Sequence, residues 1–154
     1  MFLRLFIAAL TVATLFVGAI SAPSAARADT PIFSARDGIA LGGYDVVAFF
    51  EDQHAVSGSA KHALMWKGVV WHFASSANQA RFEANPRAYA PVFGGYCAYA
   101  MSQGYLAPGN PQLWVIDGGE LLLLNNASVQ GIWQGEAEQL MQGARANWPA
   151  VLRD

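Results

Sequence analysis

The feature that most constrains this fold is a pair of strand-type runs, each interrupted by a two-residue turn that contains glycine. In "HALMWKGVVWHFA" (62–74) the turn is Lys67-Gly68, with glycine supplying the positive φ of a tight hairpin. Pairing Trp66 with Val69 puts Leu64, Trp66, Val69, Trp71 and Phe73 on one face, with His62. Met65, Val70 and His72 take the other face. In "LWVIDGGELLLL" (113–124) the turn is Gly118-Gly119, and both faces are apolar. A strand apolar on both faces must be covered twice, so this hairpin is expected inside the protein.

The stretches between and after the hairpins supply the cover. "GIALGGYDVVAFF" (38–50) predicts a strand over Val46–Phe50, because the run is β-branched and aromatic. "EDQHAVSGSA" reads as an exposed loop. "SSANQARFEANP" predicts a short helix capped by Ser75 or Ser76, with an S-x-x-Q box from Ser76 to Gln79 and a stop at Asn85-Pro86. "YCAYAMSQG" predicts a second short helix with Gly104 as its stop. From Val129 to Trp148 the apolar spacing becomes helical, with a break expected near Gly135 and an end at Pro149. The class is therefore α+β: a small antiparallel sheet built from hairpins, with short helices and a C-terminal helical segment. No internal repeat and no low-complexity tract is read from the sequence.

Residues 1–28 have the form of a secretory signal. Arg4 precedes an apolar run from Leu5 to Ile20, and Ala26-Arg27-Ala28 fits cleavage before Asp29. The run is short of the ~20 residues that cross a bilayer, so no stable membrane span is expected after cleavage. The expected domain is 29–154. Without Arg4 and Arg27, seven basic residues face eleven acidic ones, a net charge of −4. No basic run remains, which excludes nucleic acid as an expected partner. The expected location is periplasmic or secreted.

The chain has one cysteine, Cys97, within "GGYCAYA" (94–100). Exported domains of this size often carry disulfides, and a single thiol forms none internally. It is a packed apolar residue, a metal ligand, a reactive group, or a bridge to another molecule.

The stretches "GGYDVVAFF", "GSAKHALMWKGVVWHFASSANQARFEANPRAYAPVFGGYCAYA", "GNPQLWVIDGGELLLLNN" and "ANWP" together resemble the YHS-domain family in its secreted, single-domain form. The resemblance spans nearly all of residues 29–154. It implies a metal-binding or metal-sensing module, with Cys97 of the GGYC motif as the metal contact. In the first turn of a helix, the unpaired N–H groups would favour the thiolate, the form that binds copper or zinc. Met101, four residues on, shares its helical face. The candidate metal contacts are Cys97, Met101 and His72, from a donor pool that also holds His54, His62, Met65 and Asp45. His62 and His72 leave opposite hairpin faces and do not share an ion unless a bulge intervenes.

The expected function is therefore binding, with copper or zinc as the first ligand. The alternative is a small-molecule or protein interaction module in which Cys97 is structural. Nucleophilic catalysis by Cys97 ranks below both: no nucleotide loop, serine elbow or HExxH motif is present. Asn126-Ala127-Ser128 matches a glycosylation sequon and is set aside as chance.

Overall fold

The computed structural model describes residues 30–153. The expected leader, residues 1–28, and its cleavage point before Asp29 lie outside them. Among the described residues, no helix is long and apolar enough to cross a membrane. The class is α+β. A four-stranded sheet has the order β1 (Ala35–Arg36), β2 (Ile39–Ala40), β4 (Val69–Phe73), β3 (Ser59–Trp66). A separate two-stranded sheet joins β5 (Asn110–Asp117) to β6 (Glu120–Leu124). The helices are α1 (Ala48–Glu51), α2 (Ser76–Ala84), α3 (Pro86–Tyr89), α4 (Ala98–Ser102) and α5 (Ala127–Asn147).

Both hairpins form with the expected turns: Trp66 pairs with Val69, and Asp117 with Glu120. They lie in different sheets, and the larger sheet is mixed, since β2 runs parallel to β4. Val69, Trp71 and Phe73 are buried, while Met65 is 64% exposed on the opposite face. His62 falls in an irregular stretch between Ser59 and Ala63, where strict alternation no longer places it.

The leucine run of β6 divides the interior. Leu121 and Leu123 pack into a first core with Phe33, Val46, Trp71, Phe73 and Phe82. Leu122 and Leu124 pack into a second core with Phe93, Cys97, Met101, Trp133 and Leu140. Alternation sends successive side chains to opposite faces, so a strand between two cores must be apolar throughout. That is the physical meaning of "LLLL".

Several local expectations change. Val46–Phe50 is not a strand: it leads into and forms most of α1. The deciding residue is Asp45, whose Oδ1 accepts from the amides of Val47 (2.9 Å) and Ala48 (3.4 Å) and so starts a helix. A short, wholly apolar run has no period by which to tell a buried strand from a buried helix. Ser75 caps α2, accepting from the Asn78 amide at 3.1 Å. The Ser76–Gln79 box does not form: Ser75 is the N-cap, and the Gln79 side-chain Nε2 donates to the Ala63 carbonyl. In α5 the break falls at Glu136 (φ −133°), beside Gly135, and Trp148 closes the helix ahead of Pro149.

The largest departure is an internal repeat. Leu41-Gly42-Gly43 has φ of 52, 59 and 86°, and Phe93-Gly94-Gly95 has 59, 63 and 81°. Each left-handed turn runs into an extended tyrosine, Tyr44 or Tyr96, and then a short helix, α1 or α4. The amides of Asp45 and Cys97 donate to Val56 and Ala107 respectively, both at 2.8 Å. Gly58 donates to Gly43, and Gly109 to Gly95. Both hairpins carry the same irregularity, between Ser59 and Ala63 and between Asn110 and Trp114. The helices that follow are capped alike: Asn126 accepts from Val129 as Ser75 does from Asn78. Phe82 and Trp133 then seal the two cores from equivalent helical positions. The first unit runs from Leu41 through α2, the second from Phe93 into α5. Few residues are identical between them, chiefly the Gly-Gly-Tyr of each turn, Gly58 with Gly109 and Gly68 with Gly119.

Candidate functional site

Cys97 is the residue just before α4 and is 1% exposed. The Met101 amide donates to its carbonyl at 3.0 Å, and its backbone bridges to Leu123 of β6. Its side chain belongs to the second core, with Ala98, Ala100, Leu122, Leu124 and Trp133. Met101 is fully buried in the same core. The structure thus brings the two sulfur residues into one apolar cluster. α4 is five residues long and begins at Ala98, so Cys97 precedes its first turn rather than lying in it.

His72 stands elsewhere. It is half-buried on β4, and its Nδ1 lies 3.5 Å from the place a Cβ would take on Gly43. It therefore lines the first left-handed turn, at the position that Leu123 holds in the second unit. Among the described residues, no three His, Cys, Asp or Glu side chains gather as a group able to hold a metal. Zinc takes four ligands. Two enclosed sulfurs, with His72 against another turn, do not fit such a site. His54 is exposed, with Nδ1 2.8 Å from the Asp52 carbonyl.

Asp45 occupies the position equivalent to Cys97 and is fully buried. Beside the two helix amides, its Oδ2 accepts from the Ala74 amide and from Asn78 Nδ2, both at 2.8 Å. Asn78 in turn accepts from Arg81. The carboxylate thereby ties α1, the end of β4 and α2 together. Its lone pairs are committed to these donors, so its role is structural. The sequence signal was the Asp ahead of an apolar run; the partners 29 and 33 residues away were not visible.

The concave surface nearest both motifs is a groove of about 450 Å³. Leu41, Gly42 and Tyr44 of the first turn line one part, Gly95, Pro108, Gly109 and Pro111 another, and Ser34, Ala35 and Arg36 the rest. Arg36 is the one charged side chain among them. The Tyr44 hydroxyl reaches the surface here and accepts from Gln112 Nε2 at 2.9 Å. The groove was not anticipated from the sequence, because it exists only where the two repeated turns meet. No family model matches the chain, and neither a curated protein nor a solved structure was found that matches it.

Proposed function

We propose that this chain is an exported YHS-domain interaction module that takes an organic ligand in the groove between its two Gly-Gly-Tyr turns, with Cys97 structural. The observation that carries the reading is the equivalence of Cys97 and Asp45. Both sit after the same turn and donate the same backbone hydrogen bond, and both side chains are enclosed. A cysteine that replaces a core position of a repeated unit needs no chemistry to account for it. The groove, by contrast, is open, and it offers a cation (Arg36) and a phenol (Tyr44) in a glycine-lined recess. Such a set suits a small acidic organic group.

A second reading keeps one observation in its favour. Copper or zinc binding through GGYC rests on Cys97 and Met101 standing four residues apart in one cluster. Amide NMR titration of residues 29–154 separates the two. Small carboxylates should shift Gly42, Tyr44, Gly95 and Gly109, while Zn²⁺ and Cu(I) leave Cys97 and Met101 unmoved. Metal-induced shifts centred on Cys97, with the groove silent to the carboxylates, would reverse the order of the two readings.

A further inference from the structure

The two left-handed turns are alike in backbone but not in what covers them. The second is covered by the chain's own N-terminal segment, Pro31–Ser34. The Ser34 amide donates to the Gly94 carbonyl at 2.8 Å. The Tyr96 hydroxyl donates to the Pro31 carbonyl at 2.8 Å. The segment passes so close that a Cβ on Gly94 would stand 1.8 Å from the Ile32 carbonyl oxygen. Phe33 then anchors it, 6% exposed between Trp66 and Trp71. The second turn therefore functions as a seat for an extended peptide: glycine lets the backbones touch, its carbonyl accepts, and the following tyrosine donates.

The first turn presents the same three elements with no such cover among the described residues. Gly42 is exposed, and nothing lies within 4 Å of a Cβ built on it. Tyr44 takes the place of Tyr96, with its hydroxyl at the surface. Both residues line the groove. Along the same groove runs β1, an edge strand whose Ala35 and Arg36 are exposed. An edge strand beside an open recess is the setting in which an extended segment adds by main-chain pairing.

We infer that the groove is a peptide-binding site, and that its occupant is an extended segment of another protein chain bearing an acidic residue. The inference rests on the groove being the ligand site proposed above. The Gly42 carbonyl accepts a peptide amide as Gly94 does from Ser34. The Tyr44 hydroxyl donates to a peptide carbonyl as Tyr96 does to Pro31. The acidic residue follows from Arg36, the one charged side chain among the described residues that line the groove.

The test uses residues 29–154 and the probe acetyl-Pro-Ile-Phe-Ser-Glu-amide, built on the segment that covers the second turn. The glutamate serves Arg36, and the same peptide ending in lysine is the charge control. Binding is followed by amide NMR shifts. The expected result is saturable shifts at Gly42, Tyr44 and Arg36, weaker by about three- to tenfold for the lysine peptide. Tyr44→Phe should weaken binding by a similar factor, the worth of one hydrogen bond. Gly42→Asn should abolish it, since asparagine tolerates the left-handed backbone while its Cβ occupies the approach. Thermal melts of both variants show whether the fold is kept. Should either variant melt early, an Arg36→Gln variant on the exposed edge carries the same test, with the glutamate–lysine difference expected to vanish. Shifts confined to Gly94 and Tyr96 would mean that the probe only displaces the chain's own segment, and would overturn the inference. So would peptide binding that Gly42→Asn leaves unchanged. If the peptide is silent while small carboxylates still shift Gly42 and Tyr44, the peptide inference fails and the groove reading stands; if both are silent, both fail.

Discussion

Asp45 and Cys97 stand at the same place in two copies of one structural unit, and they are solved by opposite chemistry. In the first copy a carboxylate is fully buried and collects hydrogen bonds from Val47, Ala48, Ala74 and Asn78. In the second copy a thiol is buried among leucines, alanines and aromatic rings. Burying a carboxylate costs several kcal/mol unless donors surround it, and here they do. Burying a thiol costs almost nothing. The shared backbone therefore does not demand either side chain. What it demands is that this corner be closed, by a polar network where donors converge or by apolar packing where they do not. The position equivalent to Asn78 is Val129, so the second copy lacks the side-chain donor that would justify an acid.

The two copies differ most in what a side chain at their turn glycines would meet. Gly94→Ala must expel the segment at Ile32, uncovering Phe33 and losing the hydrogen bonds to Pro31 and from Ser34. The expected loss is about 5 kcal/mol, from an uncovered aromatic plus two hydrogen bonds. Gly42→Ala meets no neighbour among the described residues and carries only the strain of φ +59°, about 1 kcal/mol. Urea denaturation of the pair measures both. Equal losses would show that the two turns are not differently covered.

Next comes the corner itself. Asp45→Ala strands the Asn78 side-chain amide and three backbone donors, those of Val47, Ala48 and Ala74, and should cost about 3–4 kcal/mol. Cys97→Ala removes one buried atom and should cost about 1–2 kcal/mol. Neither variant should change the metal content of protein purified without an affinity tag. A Cys97→Ala protein as stable as the parent, but stripped of a copper or zinc ion that the parent retains, would restore the metal reading.

The tyrosines give a smaller contrast with a pH signature. Burial raises the Tyr96 pKa above the usual value of 10. The unfolded chain then ionises first as pH rises, so the stability is complete below about pH 10 and falls above it. Tyr96→Phe should cost about 1 kcal/mol at neutral pH, for the lost bond to Pro31, and should flatten the alkaline fall. Tyr44→Phe, at the surface, removes only the bond from Gln112 and should cost less than about 1 kcal/mol at neutral pH. Melting curves from pH 8 to 11 test this, and an alkaline limb unchanged in Tyr96→Phe would contradict it.

The smallest effect is expected where the second unit has a surface ion pair. Arg145 of α5 bonds Glu120 of β6, and both side chains are substantially exposed. Arg145→Ala should cost less than about 1 kcal/mol, and the difference should shrink in 0.5 M salt. A larger, salt-insensitive loss would mean that Arg145 packs rather than pairs.

How much was legible divides along the same line as the range of the interactions. The two hairpins, their turns, the stop of α2 at Asn85-Pro86, the Gly104 stop and the break near Gly135 were all readable. They depend on φ preferences and side-chain periods within a few residues of one another. The double burial of "LLLL" was readable too, because alternation and apolarity together require two covers. The course of Val46–Phe50 was not, since an apolar run without a period takes its form from Asp45 and its distant donors. Neither was the repeat. Backbone hydrogen bonds and left-handed turns recur between the units while the side chains differ, and sequence comparison sees mainly side chains. The surroundings of Cys97 and His72 were beyond reach for a related reason. Sequence alone named the soft donor and the imidazole, but only the tertiary structure placed the thiol in the second core and His72 against Gly43. The groove is decided wholly at that level: it is the space left where two similar turns meet and the described residues cover just one of them.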